Sequence, residues 1–245
     1  MKRKPSSKPA RKAAPGGTKK LRSRRTDVAR AAHERVKTAK RRSTSSVRWL
    51  ERQLNDPYVA AAKSEGYRSR AAYKLIELDD RFDLFHRGGA VVDLGAAPGS
   101  WTQVATECVG PRSGIVYAVD LVDIEPVSGA RVIPADLGDA SAVRALIAGL
   151  ERPIDIVLSD MAPPATGHAA TDHLRIVALC ETAEAFAEEV LRPGGAFVAK
   201  VWQGGAESDF LARLKQRYDR VKHAKPQASR ADSAEMYLVA QGYRS

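Results

Sequence analysis

The stretch AVVDLGAAPGSWTQVA, residues 90–105, decides the fold. AVVDL reads as a short buried strand, Gly95 to Gly99 as a tight turn, and SWTQVA as the start of a helix. Gly95 and Gly99 let the backbone bend sharply and come close to a ligand, while Pro98 stiffens the turn. The spacing is G-x-x-x-G rather than the G-x-G-x-x-G of dinucleotide binders. No Lys-Ser/Thr pair follows, as a phosphate-binding loop requires. Pyrophosphate binding is therefore disfavoured.

Outward from this unit, apolar β-branched runs alternate with helical stretches, the pattern of a parallel sheet flanked by helices. Strands are expected at 90–94, 115–119, 131–133, 154–159, 196–201 and 236–240, with a weaker one near 220–223. Helices are expected at about 69–82, 101–108, 141–150, 172–190 and 208–217. Ser69 is the expected N-cap of the first, and Leu75, Leu78 and Phe82 line one of its faces. RPGG at 192–195 reads as the stop of the long helix before the next strand. The expected fold is α/β and Rossmann-like: a mostly parallel seven-stranded sheet with helices on both faces. Such sheets bind ligands beyond the C-terminal ends of their strands.

Acids stand at those ends. Asp93 is placed to orient a ligand ammonium, Asp120 to accept both hydroxyls of a ribose, and Asp136 to face the exocyclic amine of an adenine. Caps and turns account for any one of them alone, but less easily for three in register. Asp160 ends the fourth strand and Lys200 lies inside the fifth, among Phe197, Val198, Ala199, Val201 and Trp202. A lysine in such a strand is costly to bury unless paired or functional. Lys74 falls on the helix before the first strand and Glu235 just before the last. The plain alternative for these four is a buried ion-pair network.

DLGAAPGSW at 93–101, SDMAP at 159–163, FVAKVWQG at 197–204, GYRSRAAYKL at 66–75 and SRADSAEMYLVA at 229–240 occur in a consistent order. Together they resemble the FtsJ-type ribosomal RNA 2′-O-ribose methyltransferases, from about Ser46 to the C-terminus. The resemblance implies S-adenosylmethionine as methyl donor, bound by Asp93, Gly95, Gly99, Trp101, Asp120, Asp136 and Asp160. It also implies a catalytic set of Lys74, Asp160, Lys200 and Glu235. In it Lys200 takes the hydroxyl proton, Lys74 and Glu235 support and orient, and Asp160 serves both sulfonium and hydroxyl. Burial and Lys74 would lower the pKa of Lys200, whereas Asp160 and Glu235 would raise it. The expected substrate is a uridine of large-subunit ribosomal RNA, in assembled or maturing particles.

Trp101 and Tyr67 are candidates for stacking on a base or on the cofactor adenine, with core packing as the alternative. The loop MAPPATGHAATDH, 161–173, is expected to close over RNA. Its His168 and His173 lack partners at metal-ligand spacing, and no metal is expected.

The 245 residues carry a net charge of +11, unevenly placed. Residues 1–42 hold 17 Lys/Arg against two acids, Asp27 and Glu34, while the remaining 203 carry a net −4. Such a segment has too little to bury and is expected to be disordered, with 26–42 able to form a helix against a polyanion. The arm is expected to attract nucleic acid by counterion release, with a solubilising tail that has no specific partner as the alternative. The methyltransferase domain is expected over 43–245. No apolar run approaches the ~20 residues of a membrane span, and the arm lacks the apolar core of a secretory signal. Cys108 and Cys180, 72 positions apart, fit neither a disulfide framework nor a metal site. These features point to a cytoplasmic monomer. The competing readings are a 2′-O-methyltransferase of tRNA or of a capped 5′ end, a non-catalytic ribosome-assembly factor, and, weakly, a nicotinamide-dependent dehydrogenase.

Overall fold

The computed structural model describes residues 43–164, 166–203 and 208–245. The basic arm and its expected helix at 26–42 lie outside the described residues. Seven strands form one sheet: β1 (Ala90–Leu94), β2 (Ile115–Asp120), β3 (Ala130–Pro134), β4 (Ile154–Ser159), β5 (Leu191–Trp202), β6 (Tyr218–Ala224) and β7 (Glu235–Tyr243). Their order is β3-β2-β1-β4-β5-β7-β6. All pairs are parallel except those of β7, which runs antiparallel to both β5 and β6.

Alternation along each strand builds two cores. Val91, Ile156, Val198 and Val239 face a layer with Leu75 and Leu78 of α3 (Ala71–Phe82) and Val104 of α4 (Ser100–Val109). Their neighbours Val92, Val157, Phe197 and Leu238 face the other layer. That layer holds Leu146 of α5 (Ala140–Ala148), Phe186 of α6 (Ala169–Val190) and Phe210 of α7 (Ser208–Arg217). Burial on both faces explains why the central strands read as continuous apolar runs. The chain order reverses between β1 and β4, and the C-terminal ends of those strands flank the crevice that results.

Three details depart from the sequence reading. Two helices precede α3 that periodicity did not reveal: α1 (Thr44–Leu54) and α2 (Pro57–Glu65). Their end signals are local and present: Ser43 and Asp56 accept from the amides of Ser46 and Tyr58, and Gly66 closes α2 at φ 82°. However, α2 buries little more than Ala61 and Ala62, so it lacks an apolar stripe. Ser69 is not the N-cap of α3, a position held by Arg70. The Ser69 hydroxyl accepts from Ala71 N at 3.2 Å and lies 2.8 Å from Ser100 Oγ, tying α3 to α4. RPGG is not a loop after α6, because β5 begins at Leu191, directly after Val190. Leu191 pairs with Ile154, the register then shifts, and pairing resumes at Ile156 with Ala196. Pro193 cannot donate to a ladder, so the motif is accommodated as a bulge.

Candidate active site

The glycine turn between β1 and α4 forms one wall of the crevice. Gly95 (φ 73°) and Gly99 (φ 104°) adopt the left-handed conformation expected of them, and the Ala97–Pro98 bond is cis. A Cβ on Gly95 would lie 2.6 Å from Met161 Cγ, so the chain leaving β4 packs directly on the turn. Asp160 N donates to Leu94 O at 3.3 Å, seating Asp160 beside it. A cleft of about 830 Å³ opens here, lined by Gly95, Asp120, Asp136, Asp160, Met161 and Arg175 among others. Leu121 and Val122, 70% and 63% exposed, make an apolar lip.

The acids take distinct positions. Asp93 is fully buried; Thr102 Oγ1 donates to its Oδ2 at 2.7 Å, and its Oδ1 has no partner. Burial pushes its pKa up to about 7, against the Thr102 hydrogen bond and helped by the charges of Asp160 and Asp120. Asp120 accepts from Ala97 N (2.9 Å) and Val122 N (3.0 Å), bracing the glycine turn while facing the cleft. Asp136 accepts from Gly138 N at 2.7 Å through Oδ1 and also lines the cleft. Asp120 and Asp136 thus make turn hydrogen bonds and line the cleft at once, whereas Asp93 is fully buried and is not part of the lining.

The four residues of the expected catalytic set come together across the sheet. Lys200 Nζ donates to Asp160 O (2.6 Å) and Oδ1 (3.0 Å). Lys74 Nζ donates to Glu235 Oε2 at 2.8 Å. The lysine side chains are only 13% (Lys74) and 10% (Lys200) exposed. The two pairs are joined by Tyr237, which sequence reasoning missed: its hydroxyl donates to Asp160 Oδ1 at 2.8 Å and accepts from Lys74 Nζ at 3.2 Å. Lys200 and Tyr237 are direct cross-strand partners, and Glu235 lies two residues from Tyr237, hence on the same face. That two-residue spacing was the available signal. Burial, then the charges of Asp160 and Glu235, push the Tyr237 phenol well above its ordinary range. Ser229, also missed, donates to Glu235 Oε1 at 2.7 Å.

For the rings of Trp101 and Tyr67 the structure takes the core alternative. The Trp101 indole is 3% exposed, donates to Ala71 O at 2.9 Å and packs 5.4 Å from the Tyr237 ring. Tyr67 is buried with its hydroxyl on Glu107 Oε2 at 3.0 Å. Both rings are core: α4 turns Trp101, its second residue, onto α3, and Tyr67 packs edge-on against Tyr73, so neither ring is placed to stack on a ligand. His168 caps α6. The loop before it is tied down by Thr166, whose N and Oγ1 donate to Asp172 Oδ1 at 2.9 and 2.6 Å. Among the described residues, no three His, Cys, Asp or Glu side chains are grouped to hold a metal ion.

A seven-stranded sheet with one inserted antiparallel strand, a glycine turn after β1 and acids along the crevice define a Rossmann-like methyltransferase. Residues 67–243 match the family described as FtsJ-like methyltransferase, and the chain belongs to it. It is 58% identical to the ribosomal RNA large subunit methyltransferase E of Acidiphilium cryptum, over 88% of this chain and 94% of the relative. The protein of the same name from Granulibacter bethesdensis is 56% identical over 85% and 90%. A solved structure from Plasmodium falciparum, described as a ribosomal RNA methyltransferase, superposes with a TM-score of 0.63 at 30% identity. It covers 72% of this chain and 98% of its own.

Proposed function

We propose that this enzyme moves the methyl group of S-adenosylmethionine onto the ribose 2′-hydroxyl of a uridine in large-subunit ribosomal RNA. One observation carries the reading: Asp160 is shared by the cleft and the lysine cluster, lining the first and holding Lys200 of the second. A ligand in the cleft and a hydroxyl at Lys200 therefore meet at one carboxylate. The names of the relatives support the RNA class.

The residues present fit the methyl donor. Asp93, two residues before Gly95, keeps one buried oxygen without a partner, Gly95 keeps the wall of the cleft free of side chain, and Asp160 places a carboxylate where a cationic centre is to be held. Asp120 and Asp136 retain acceptor capacity for ribose hydroxyls and an exocyclic amine, and Gly99 caps the helix behind them. Trp101 contributes from the core only, by packing under Tyr237.

S-adenosylmethionine supplies a methyl already activated by its sulfonium. What the chain adds is in-line positioning and a destination for the hydroxyl proton. Lys200, as the amine, accepts that proton, and the two Asp160 oxygens at 2.6 and 3.0 Å hold the ammonium so formed. Lys74 and Glu235, fixed to each other and to Tyr237, hold the far side of the cluster and orient the ribose. Residues 1–42 form a basic arm that draws the domain at 43–245 onto phosphate-rich rRNA in the cytoplasm.

The test is methyl transfer from labelled S-adenosylmethionine to large ribosomal subunits, naked rRNA and tRNA, with wild type and Lys200→Ala. The expected product is 2′-O-methyluridine from the ribosomal particles, absent with Lys200→Ala. Cofactor binding without transfer to any of the three would sink the reading.

A further inference from the structure

Arg68 lies outside both the catalytic cluster and the lining of the cleft, yet its guanidinium joins separate pieces of chain. Nη1 donates to Pro98 O (2.7 Å) and Glu125 O (2.8 Å), and Nη2 donates to Pro126 O (3.0 Å). Pro98 belongs to the glycine turn; Glu125 and Pro126 belong to the segment that follows β2 and Asp120. The backbone of Arg68 is pinned independently. Its amide donates to Gln103 Oε1 at 2.9 Å, and Gln103 Nε2 donates to Gly66 O at 3.0 Å.

Carbonyl oxygens from two loops converging on one point repel each other, and a planar cation with forked donors offsets that repulsion. Lysine offers a point charge and cannot reproduce the fork. The turn is shaped around this group: a Cβ on Gly99 would lie 2.5 Å from Arg68 Nη1, and 3.3 and 3.2 Å from Ile124 and Val127 of the same segment. On the cleft side, Ala97 N donates to Asp120 Oδ2 at 2.9 Å. The glycine turn is therefore tied to the β2 side twice, by Asp120 within the cleft and by Arg68 behind it.

We propose that Arg68 is a positioning residue that holds the glycine turn and the segment after Asp120 at a fixed separation, shaping the cleft before ligand enters. This rests on the reading of the cleft as the S-adenosylmethionine site. Without the guanidinium the two loops sample other separations, and apparent affinity falls by the fraction of time they are correctly spaced. An arginine beside an RNA enzyme's site also invites the reading of a phosphate contact. Here three carbonyls already occupy three of its five N–H donors.

The experiment compares full-length wild type, Arg68→Ala and Arg68→Lys. It measures labelled S-adenosylmethionine binding by equilibrium dialysis, KM and kcat on large ribosomal subunits, and affinity for rRNA. Arg68→Ala should raise Kd and KM for the cofactor by about tenfold if the correct spacing falls to about a tenth of its population. Its kcat at saturating cofactor and its rRNA affinity should stay at wild-type values, and Arg68→Lys should fall between the two proteins in cofactor affinity. Should Arg68→Ala not fold, Arg68→Lys with wild-type cofactor affinity overturns the proposal. So does a loss of rRNA affinity with cofactor binding intact, which makes Arg68 a phosphate contact. A wild type that binds no S-adenosylmethionine refutes the parent reading before any variant is compared.

Discussion

Lys200 and Tyr237 face each other across β5 and β7, and both donate to the same oxygen, Asp160 Oδ1, at 3.0 and 2.8 Å. A carboxylate oxygen gripped from two sides keeps its position when a substrate hydroxyl arrives. Tyr237→Phe removes one grip while leaving the ring against Trp101. The expected effect is a kcat lower by roughly tenfold, the scale of one hydrogen bond to a charged group, with cofactor Kd unchanged. The wild-type pH profile should show no tyrosine ionisation below pH 10, because the phenol is held well above its ordinary range by burial. An unaltered kcat in Tyr237→Phe would mean that Lys200 alone orients Asp160.

Lys74 and Glu235 lie 2.8 Å apart at 13% and 16% exposure, 161 residues apart in the chain. Removing either partner leaves a mostly buried charge, whereas removing both does not. Lys74→Met and Glu235→Gln should each destabilise the protein. The double variant should be more stable than the sum predicts, with a coupling of about 1–3 kcal/mol in a denaturation cycle. Additive losses would show that the pair is held by Tyr237 and Ser229 rather than by each other.

Asp93 has a folded pKa near 7, raised by burial above the ordinary carboxylate value of 3.8. A raised carboxyl pKa means that the folded protein binds the proton more tightly than the unfolded chain. Its contribution to stability is therefore full below about pH 4 and is lost progressively as pH rises to about 7. Asp93→Asn keeps the shape and removes the ionisation. It should raise Tm by roughly 5–10 °C more at pH 8 than at pH 5 and weaken S-adenosylmethionine binding, a trade of function for stability. Thermal melts at the two pH values with dialysis on the same samples check both parts; an equal Tm shift at both would show that Asp93 ionises freely in the fold.

The parts legible in the sequence are those specified locally. The glycine turn and the strand ends with their acids each sit within a few residues of their cause. Lys200 was readable because its cost in an apolar strand is local, and its pairing with Asp160 follows. Tyr237 was not, since a tyrosine in MYLVA reads as core until the antiparallel register sets it opposite Lys200. Arg68 was hidden for the same reason: its carbonyl partners lie 30 to 58 positions away. For Trp101 the sequence left stacking and core packing both open, and only the fold decides, by placing the indole on Ala71 O and against Tyr237.

The charge arithmetic gives the last prediction. Residues 1–42 carry 17 cations and two acids, whereas the remainder is net negative, so the domain alone has little long-range pull on a polyanion. Each phosphate neutralised contributes about 0.7–0.9 to the slope of log affinity against log salt. A chain beginning at Ser43 should therefore bind rRNA more weakly at low salt and with a visibly shallower slope, while its cofactor Kd stays at the full-length value. Because the lost term is electrostatic, the two proteins should converge in RNA affinity as salt rises. Parallel lines in that plot would mean that the arm makes no phosphate contacts in the bound state, and its proposed role would fall.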